Sequence, residues 1–247
     1  MYLDIVDLRA FYSERLGKVA RHLISERLLT RWPSVSGDCV LGIGFATPYL
    51  ADIAADAACR LAFMPAAQGV VNWPRDGRNA AALVSDDCLP LPNGSIDKVL
   101  AIHSLENCAN ANDHLREIWR VLAPGGRVIF VVPNRRGIWA RVETTPFGFG
   151  RPYGRGQLTA LLRDALFSPL GWSEALAVPP IRRRPWVRTG RAWERVGSTL
   201  WPGFAGVIIV EATKQLYQGI PARRHARVKA PVLRPALISP GASACDN

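Results

Sequence analysis

Two short runs, Val99-Leu100-Ala101-Ile102 and Val128-Ile129-Phe130-Val131-Val132, are apolar at every position. A strand with one wet face alternates apolar and polar residues, so unbroken runs imply parallel strands covered on both sides. Between them Leu115, Ile118, Trp119 and Leu122 recur at helical spacing, which gives a helix over residues 112–123 one apolar side. Pro124-Gly125-Gly126 cannot extend that helix, and its glycines permit the positive φ angles needed to turn into a strand. The segment is a βαβ unit, and it confines the chain to an α/β architecture with a buried parallel sheet.

The remaining elements follow from the same periodicities. Leu8, Tyr12, Leu16, Val19, Leu23, Leu28 and Leu29 space an amphipathic helix over residues 7–31, ended by Trp32-Pro33 and suited to lie on the sheet as a lid. Strands are expected at 38–43, 60–64 and 80–84, with an alanine-rich helix at 48–58 that Pro48 begins. Residues 134–156 hold no sustained period and several Gly and Pro, the mark of a long loop, and such loops are either functional or disordered. A helix at 157–166, strands at 172–178 and 207–210 and a short helix at 191–200 complete the chain. The expected fold is a doubly wound, Rossmann-like, mostly parallel seven-stranded sheet with helices on both faces. One domain is expected over residues 1–217: a helical lid at 1–33, a core at 34–133, and a substrate loop with the last strands at 134–217. Residues 218–247, rich in Pro and Arg, read as a poorly ordered basic tail.

Charge matters here for its placement. Residues 181–247 carry a net charge of +9 against +2 for residues 1–180. Arg182, Arg183, Arg184, Arg188, Arg191, Arg195, Arg223, Arg224, Arg227, Lys229 and Arg234 suit contact with an anionic membrane surface, nucleic acid or an acidic substrate; a solvated basic flank is the plain alternative. No apolar run reaches a bilayer-spanning length, and the first residues lack a basic-then-apolar leader, so a cytoplasmic protein is expected. The five cysteines form no Cys-x-x-Cys pair, which points to buried thiols and to no metal site.

Three blocks stand in order: Leu89-Pro90-Leu91-Pro92-Asn93-Gly94-Ser95-Ile96-Asp97, His103-Ser104-Leu105-Glu106, and Leu115-Arg116-Glu117-Ile118-Trp119-Arg120-Val121-Leu122-Ala123-Pro124-Gly125-Gly126. Together they resemble the class I S-adenosylmethionine-dependent methyltransferases, specifically the small-molecule type 11 branch. The resemblance implies S-adenosyl-L-methionine as cofactor and methyl transfer to a small molecule. It also implies a cofactor site at the carboxyl ends of the strands. Gly42, Gly44 and Ala46 fall in the loop after the first strand, where Gly44 matches the family's first glycine, Ala46 and Pro48 replace the next two, and Gly42 stands where an acid is usual. The family's ribose-binding carboxylate is replaced by Met64 and Pro65, with Gln68 nearby to offer an amide oxygen. Ser85-Asp86-Asp87-Cys88 resembles the adenine-holding segment, with Asp86 the expected contact and Ser85 the alternative; a solvated acidic turn is the structural reading.

A methyl donor on sulfur is already activated, so the protein chiefly aligns the acceptor and excludes water. His103, at the end of the fourth strand, is the expected general base and cofactor neighbour, with Glu106 orienting it; closing a strand end is its structural reading. Tyr2, Phe11, Tyr12, Asn134, Arg135, Arg136, Trp139, Phe147 and Phe149 are the expected acceptor contacts, or core residues. Their aromatics suit a planar or lipophilic molecule, and the arginines a carboxylate or phosphate. With the usual acidic anchors missing, the competing function is a catalytically inactive, methyltransferase-like binding module.

Overall fold

The computed structural model describes residues 3–180 and 204–216. In chain order its elements are α1 (Ile5–Ser13), α2 (Arg15–Arg31), β1 (Cys39–Gly44), α3 (Thr47–Ile53), β2 (Cys59–Pro65), β3 (Ala81–Val84), β4 (Ile96–Ile102), α4 (Ala111–Val121), β5 (Leu122–Pro133), α5 (Arg155–Asp164), β6 (Phe167–Ala175) and β7 (Val207–Lys214). Among the described residues seven strands form one sheet in the order β3-β2-β1-β4-β5-β7-β6. All pairings from β3 to β5 are parallel, and β7 runs antiparallel to both β5 and β6. This is the doubly wound sheet that the apolar runs imply. All described residues belong to one compact unit, residues 1–217. The expected helix at 191–200 and the tail at 218–247 lie outside the described residues, as do Tyr2 and all eleven basic positions named above with them.

The period of two in the strands sorts their side chains onto two faces. Val40, Leu100, Ile102, Ile129, Val131, Val207 and Ile209 face α1, α2 and α3. Leu41, Ile43, Val99, Ala101, Val128, Phe130, Val132, Ile208 and Val210 face α4 and α5. Because both sets are fully apolar, each central strand reads as a continuous run.

Two expected boundaries shift for local reasons. The single N-terminal helix is two: Glu14, with extended backbone (φ −72°, ψ 164°), ends α1 and begins α2. Gly17 makes the corner possible, since a Cβ there would stand 2.0 Å from the Phe11 carbonyl oxygen. The helix before Pro124-Gly125-Gly126 ends at Val121, because Leu122 is already extended and pairs with Ile96, so the glycine turn lies inside β5. The long loop after β5 contains two 3-10 turns, Trp139–Arg141 and Pro146–Gly148.

The blocks behind the family resemblance work here as fasteners. Arg120 on α4 donates to the carbonyls of Leu89 and Leu91 and to Asn93 Oδ1, each at 2.8 Å, and Glu117 accepts from Leu89 N at 3.0 Å. The Arg120 guanidinium beside it holds the Glu117 carboxyl below its usual range. One helix thereby fixes the turn leading into β4, and with it the height at which β4 ends.

The carboxyl end of β1 is tightest at Gly44. Its φ is +76°, and a Cβ would stand 2.3 Å from Ile102 O and 2.9 Å from His103 O. Gly44→Ala therefore meets both a disfavoured backbone region and an immovable carbonyl, and we expect a loss of roughly 2–5 kcal/mol of stability in urea denaturation.

Candidate active site

Four of the expected site residues meet above the ends of β1 and β4. Phe45 N donates to Ile102 O at 2.8 Å, and the next residue, His103, takes a left-handed backbone (φ +51°) that turns its ring inward. His103 is 0% exposed. Its carbonyl accepts from Gln68 Nε2 at 3.3 Å and Asn107 Nδ2 at 3.2 Å. Its ring lies between Tyr12 on α1 and Glu106 on the loop after β4.

Proton positions follow from the hydrogen-bond order. The Tyr49 hydroxyl donates to the Tyr12 oxygen at 2.9 Å, and Tyr12 OH is 2.8 Å from His103 Nε2. Tyr12 has one proton to give, so Nε2 accepts it and Nδ1 carries the imidazole proton. Nδ1 lies 3.3 Å from Glu106 Oε1, close enough for attraction but not aligned as a hydrogen bond. Burial holds the Tyr12 phenol well above its ordinary pKa, with Tyr49 and Glu106 adding to the shift, so it stays a neutral donor. A donor chain thus runs Tyr49 to Tyr12 to His103 and points at Glu106.

Several buried polar atoms here have no hydrogen-bond partner: Gln68 Oε1, Asp86 Oδ1, Asn107 Oδ1, His103 Nδ1 and both Glu106 carboxylate oxygens. A second His supports the wall. His114 on α4 donates from Nδ1 to Asp86 O at 2.9 Å, which leaves Nε2 to accept from Ser104 Oγ at 2.7 Å. Burial pushes the His114 pKa down and the Asp86 pKa up.

The other expected residues are placed apart from this cluster. Gly42 lies under α3, where a Cβ would meet Leu50 Cδ1 at 2.5 Å and Ala46 Cβ at 2.8 Å, and Ala46 is itself buried at the start of α3. Met64 is buried, its sulfur 3.4 Å from Val71 N. Ser85 and Asp87 are exposed and bonded to each other. Trp139 is a core residue whose Nε1 donates to Val178 O at 2.6 Å. Asn134 is buried and bonded to Ala205 O at 2.9 Å, while exposed Arg135 donates to Gln157 Oε1 at 3.0 Å. Tyr49, Phe45, Ser104, Asn107 and His114 join the site without having been singled out as site residues by the sequence; the phenol of Tyr49 between Pro48 and Leu50 was the available signal for it.

Residues 38–130 match the family model of a methyltransferase domain, type 11. No curated protein sequence matches the chain. Among solved structures, a methyltransferase complex with the Haloferax volcanii activator Trm112 has TM-score 0.60 and 15% identity, over 83% of this chain and 93% of that one. An S-adenosylmethionine-dependent methyltransferase of Thermotoga maritima gives TM-score 0.56 and 15% identity, over 84% and 94%. The 4+2 cyclase SpnF gives 0.53 and 20%, over 78% and 80%. At these identities the structures establish the fold. The match over residues 38–130 makes the core of the chain similar to a methyltransferase domain of the type 11 family, whose fold it shares, and that similarity implies S-adenosyl-L-methionine as cofactor.

The residues present fit that cofactor in chemistry. Gln68 Oε1 and Asp86 Oδ1, unpartnered acceptors after adjacent strands β2 and β3, suit the hydroxyl and amine donors of an adenosine. In volume the recess is taken up by aromatic rings: Tyr12 packs 5.5 Å from Phe45 and 5.8 Å from Tyr49, and Phe147 lies 4.9 Å from His103. Among the described residues no group of three or more His, Cys, Asp or Glu could hold a metal ion, and no helix is long and apolar enough to cross a membrane.

Two outcomes follow from the donor chain and the buried imidazoles. Tyr12→Phe leaves both His103 Nε2 and the Tyr49 hydroxyl unpaired and should cost about 2–4 kcal/mol, whereas Tyr49→Phe should cost about 1 kcal/mol; equal losses in urea denaturation would contradict the order. For His114 the folded state favours the neutral ring, so the unfolded chain binds the extra proton first and stability falls as pH drops below the ordinary histidine value near 6.5. Denaturation midpoints between pH 7 and pH 5 should decline in the native chain and decline less in His114→Gln.

Proposed function

We propose that the chain transfers a methyl group from S-adenosyl-L-methionine to a small-molecule acceptor, with His103 as general base and Glu106 as the group that orients it. The observation that carries this reading is the buried His103–Glu106 pair at the end of β4, with unpartnered acceptor atoms around it. When bound, the cofactor supplies a methyl group on a positively charged sulfur, so no residue is needed to activate the donor.

The backbone after Gly44, Gln68 Oε1 and Asp86 would hold the cofactor. Making room for it requires α1 to lift, since α1 contributes Tyr12 and Phe11 to the packing above the strand ends. What must give way is Ile5 N donating to Gln68 O at 2.8 Å, the Tyr12 bonds to His103 and Tyr49, and the packing of the buried Ile5, Leu8 and Phe11 side chains. Lifting α1 withdraws Tyr12 and leaves His103 Nε2 free to take a proton from the acceptor. Glu106 then stabilises the imidazolium from the other ring nitrogen. Resting on the bound reactants short of its seated position, with Tyr12 off His103, α1 would exclude water and hold them aligned, a contribution of about 7–11 kcal/mol where alignment is near ideal.

The aromatic filling of the recess favours a second reading, a methyltransferase-like binding module without turnover. Calorimetric titration with S-adenosylmethionine separates the two: the first expects saturable binding, weakened in Gln68→Ala, and the second expects no heat at millimolar donor. Given binding, His103→Gln should lower kcat by roughly a hundredfold or more with donor affinity retained.

A further inference from the structure

The sequence holds no Cys-x-x-Cys pair, yet the sheet makes a cysteine pair that spacing along the chain hides. Cys39 opens β1 and Cys59 opens β2, and the parallel register sets the two opposite each other. Paired residues of adjacent strands point to the same face, so the two thiols extend the rows of Leu41 and Ile43 and of Leu61 and Phe63 on the α4 and α5 side. Neighbouring strands run about 4.8 Å apart, inside the Cα separation of about 4.4–6.8 Å that a disulfide spans. Because each Cys is the first residue of its strand, the remaining closure bends a strand end and leaves the middle of the ladder alone.

Both residues are partly exposed, so a reagent can reach them. Cys108 differs: it is buried, and its Sγ donates to Leu105 O at 3.2 Å. Cys88 is exposed but follows the carboxyl end of β3, whereas the pair stands at the amino ends of β1 and β2, strands that run parallel to β3. The Cys39 thiol is pushed up to about 12, by burial first, then by the Cys59 sulfur beside it and the charge on Asp97, whose carboxylate accepts from Cys39 N at 2.8 Å. Cys39 therefore holds its proton, and Cys59 is the first nucleophile of the two. Once Cys59 is capped, the part of that shift due to its charge disappears, and Cys39 can act second.

We propose that Cys39 and Cys59 form a dithiol site that reacts with low-molecular-weight disulfides such as glutathione disulfide and closes to a cross-strand bond between β1 and β2. The Cys59 thiolate attacks one glutathione sulfur and expels a glutathione thiolate, leaving a mixed disulfide. The Cys39 sulfur then attacks Cys59 Sγ and expels the second glutathione. Two electrons pass from the protein sulfurs to the glutathione pair, and the two thiol protons end on the two released glutathione thiols. The closed loop, residues 39–59, contains Gly44, Phe45 and Tyr49, so the bond fastens the frame around His103 from the far end of the strands. The site stands whether or not the chain transfers methyl groups.

Between Arg31 and Arg60 the sequence has no Lys or Arg, so trypsin releases both sulfurs in one peptide, residues 32–60. The test treats the folded full chain with glutathione disulfide at about pH 8.5, the ordinary thiol value, alkylates the thiols that remain, and weighs that peptide by mass spectrometry. The expected product is lighter by two hydrogens and carries neither alkyl group nor glutathione. In Cys39→Ser the reaction should stop at one glutathione on Cys59. The same reaction in guanidinium separates strand register from chance encounter: the equilibrium constant for closing the pair against glutathione should be at least about tenfold smaller in the unfolded chain. A peptide alkylated at both sulfurs, or carrying glutathione at both, overturns the proposal. Equal constants in the folded and unfolded chain overturn it too, as does a bond from either Cys to Cys88. The native-chain comparison decides the matter even where Cys39→Ser does not fold.

Discussion

The contact between the ends of β1 and β4 underlies everything the site contains. Gly44 brings one backbone against another at a distance no side chain tolerates, and the bond from Phe45 N to Ile102 O locks the two ends together. His103 follows at once and is forced into a left-handed turn. That turn sends its ring under α1 and its carbonyl toward Gln68 and Asn107. Strain of this kind persists only where the surroundings over-determine it, and here three elements do so.

How much of this was legible follows from what kind of interaction each feature needs. The sheet was readable because burial on both faces leaves an unbroken apolar run in the sequence, as in Val128 to Val132. The two segments that Glu117 and Arg120 clamp to Leu89 and Leu91 were readable as motif blocks standing in order, but the bonds between them were not. His103 and Glu106 were readable as neighbours, being three residues apart after a strand.

The rest depends on pairings between distant segments, and local pattern carries no trace of these. Tyr12 meets His103 across 91 positions, and Tyr12 meets Tyr49 across 37. Trp139 reads as a loop aromatic available for a substrate, yet the 3-10 turn it begins folds it into the core against Phe147 and Val178 O. Gly42 reads as part of a cofactor loop, but the alternation of β1 turns it toward α3, where its missing side chain makes room for Leu50. The break at Glu14 is hidden for the opposite reason: the hydrophobic spacing continues through it, and only the approach of Gly17 to the Phe11 carbonyl gives it away.

The bond from Tyr12 to His103 has a consequence for an idle molecule. While α1 is seated, the imidazole lone pair is already occupied by a phenol of this same chain, so no stray water can use it. A group that draws α1 aside breaks this internal cap in the same movement that creates its own place. Reactivity would then be withheld until there is cargo to receive it, by a safety catch made of one hydroxyl.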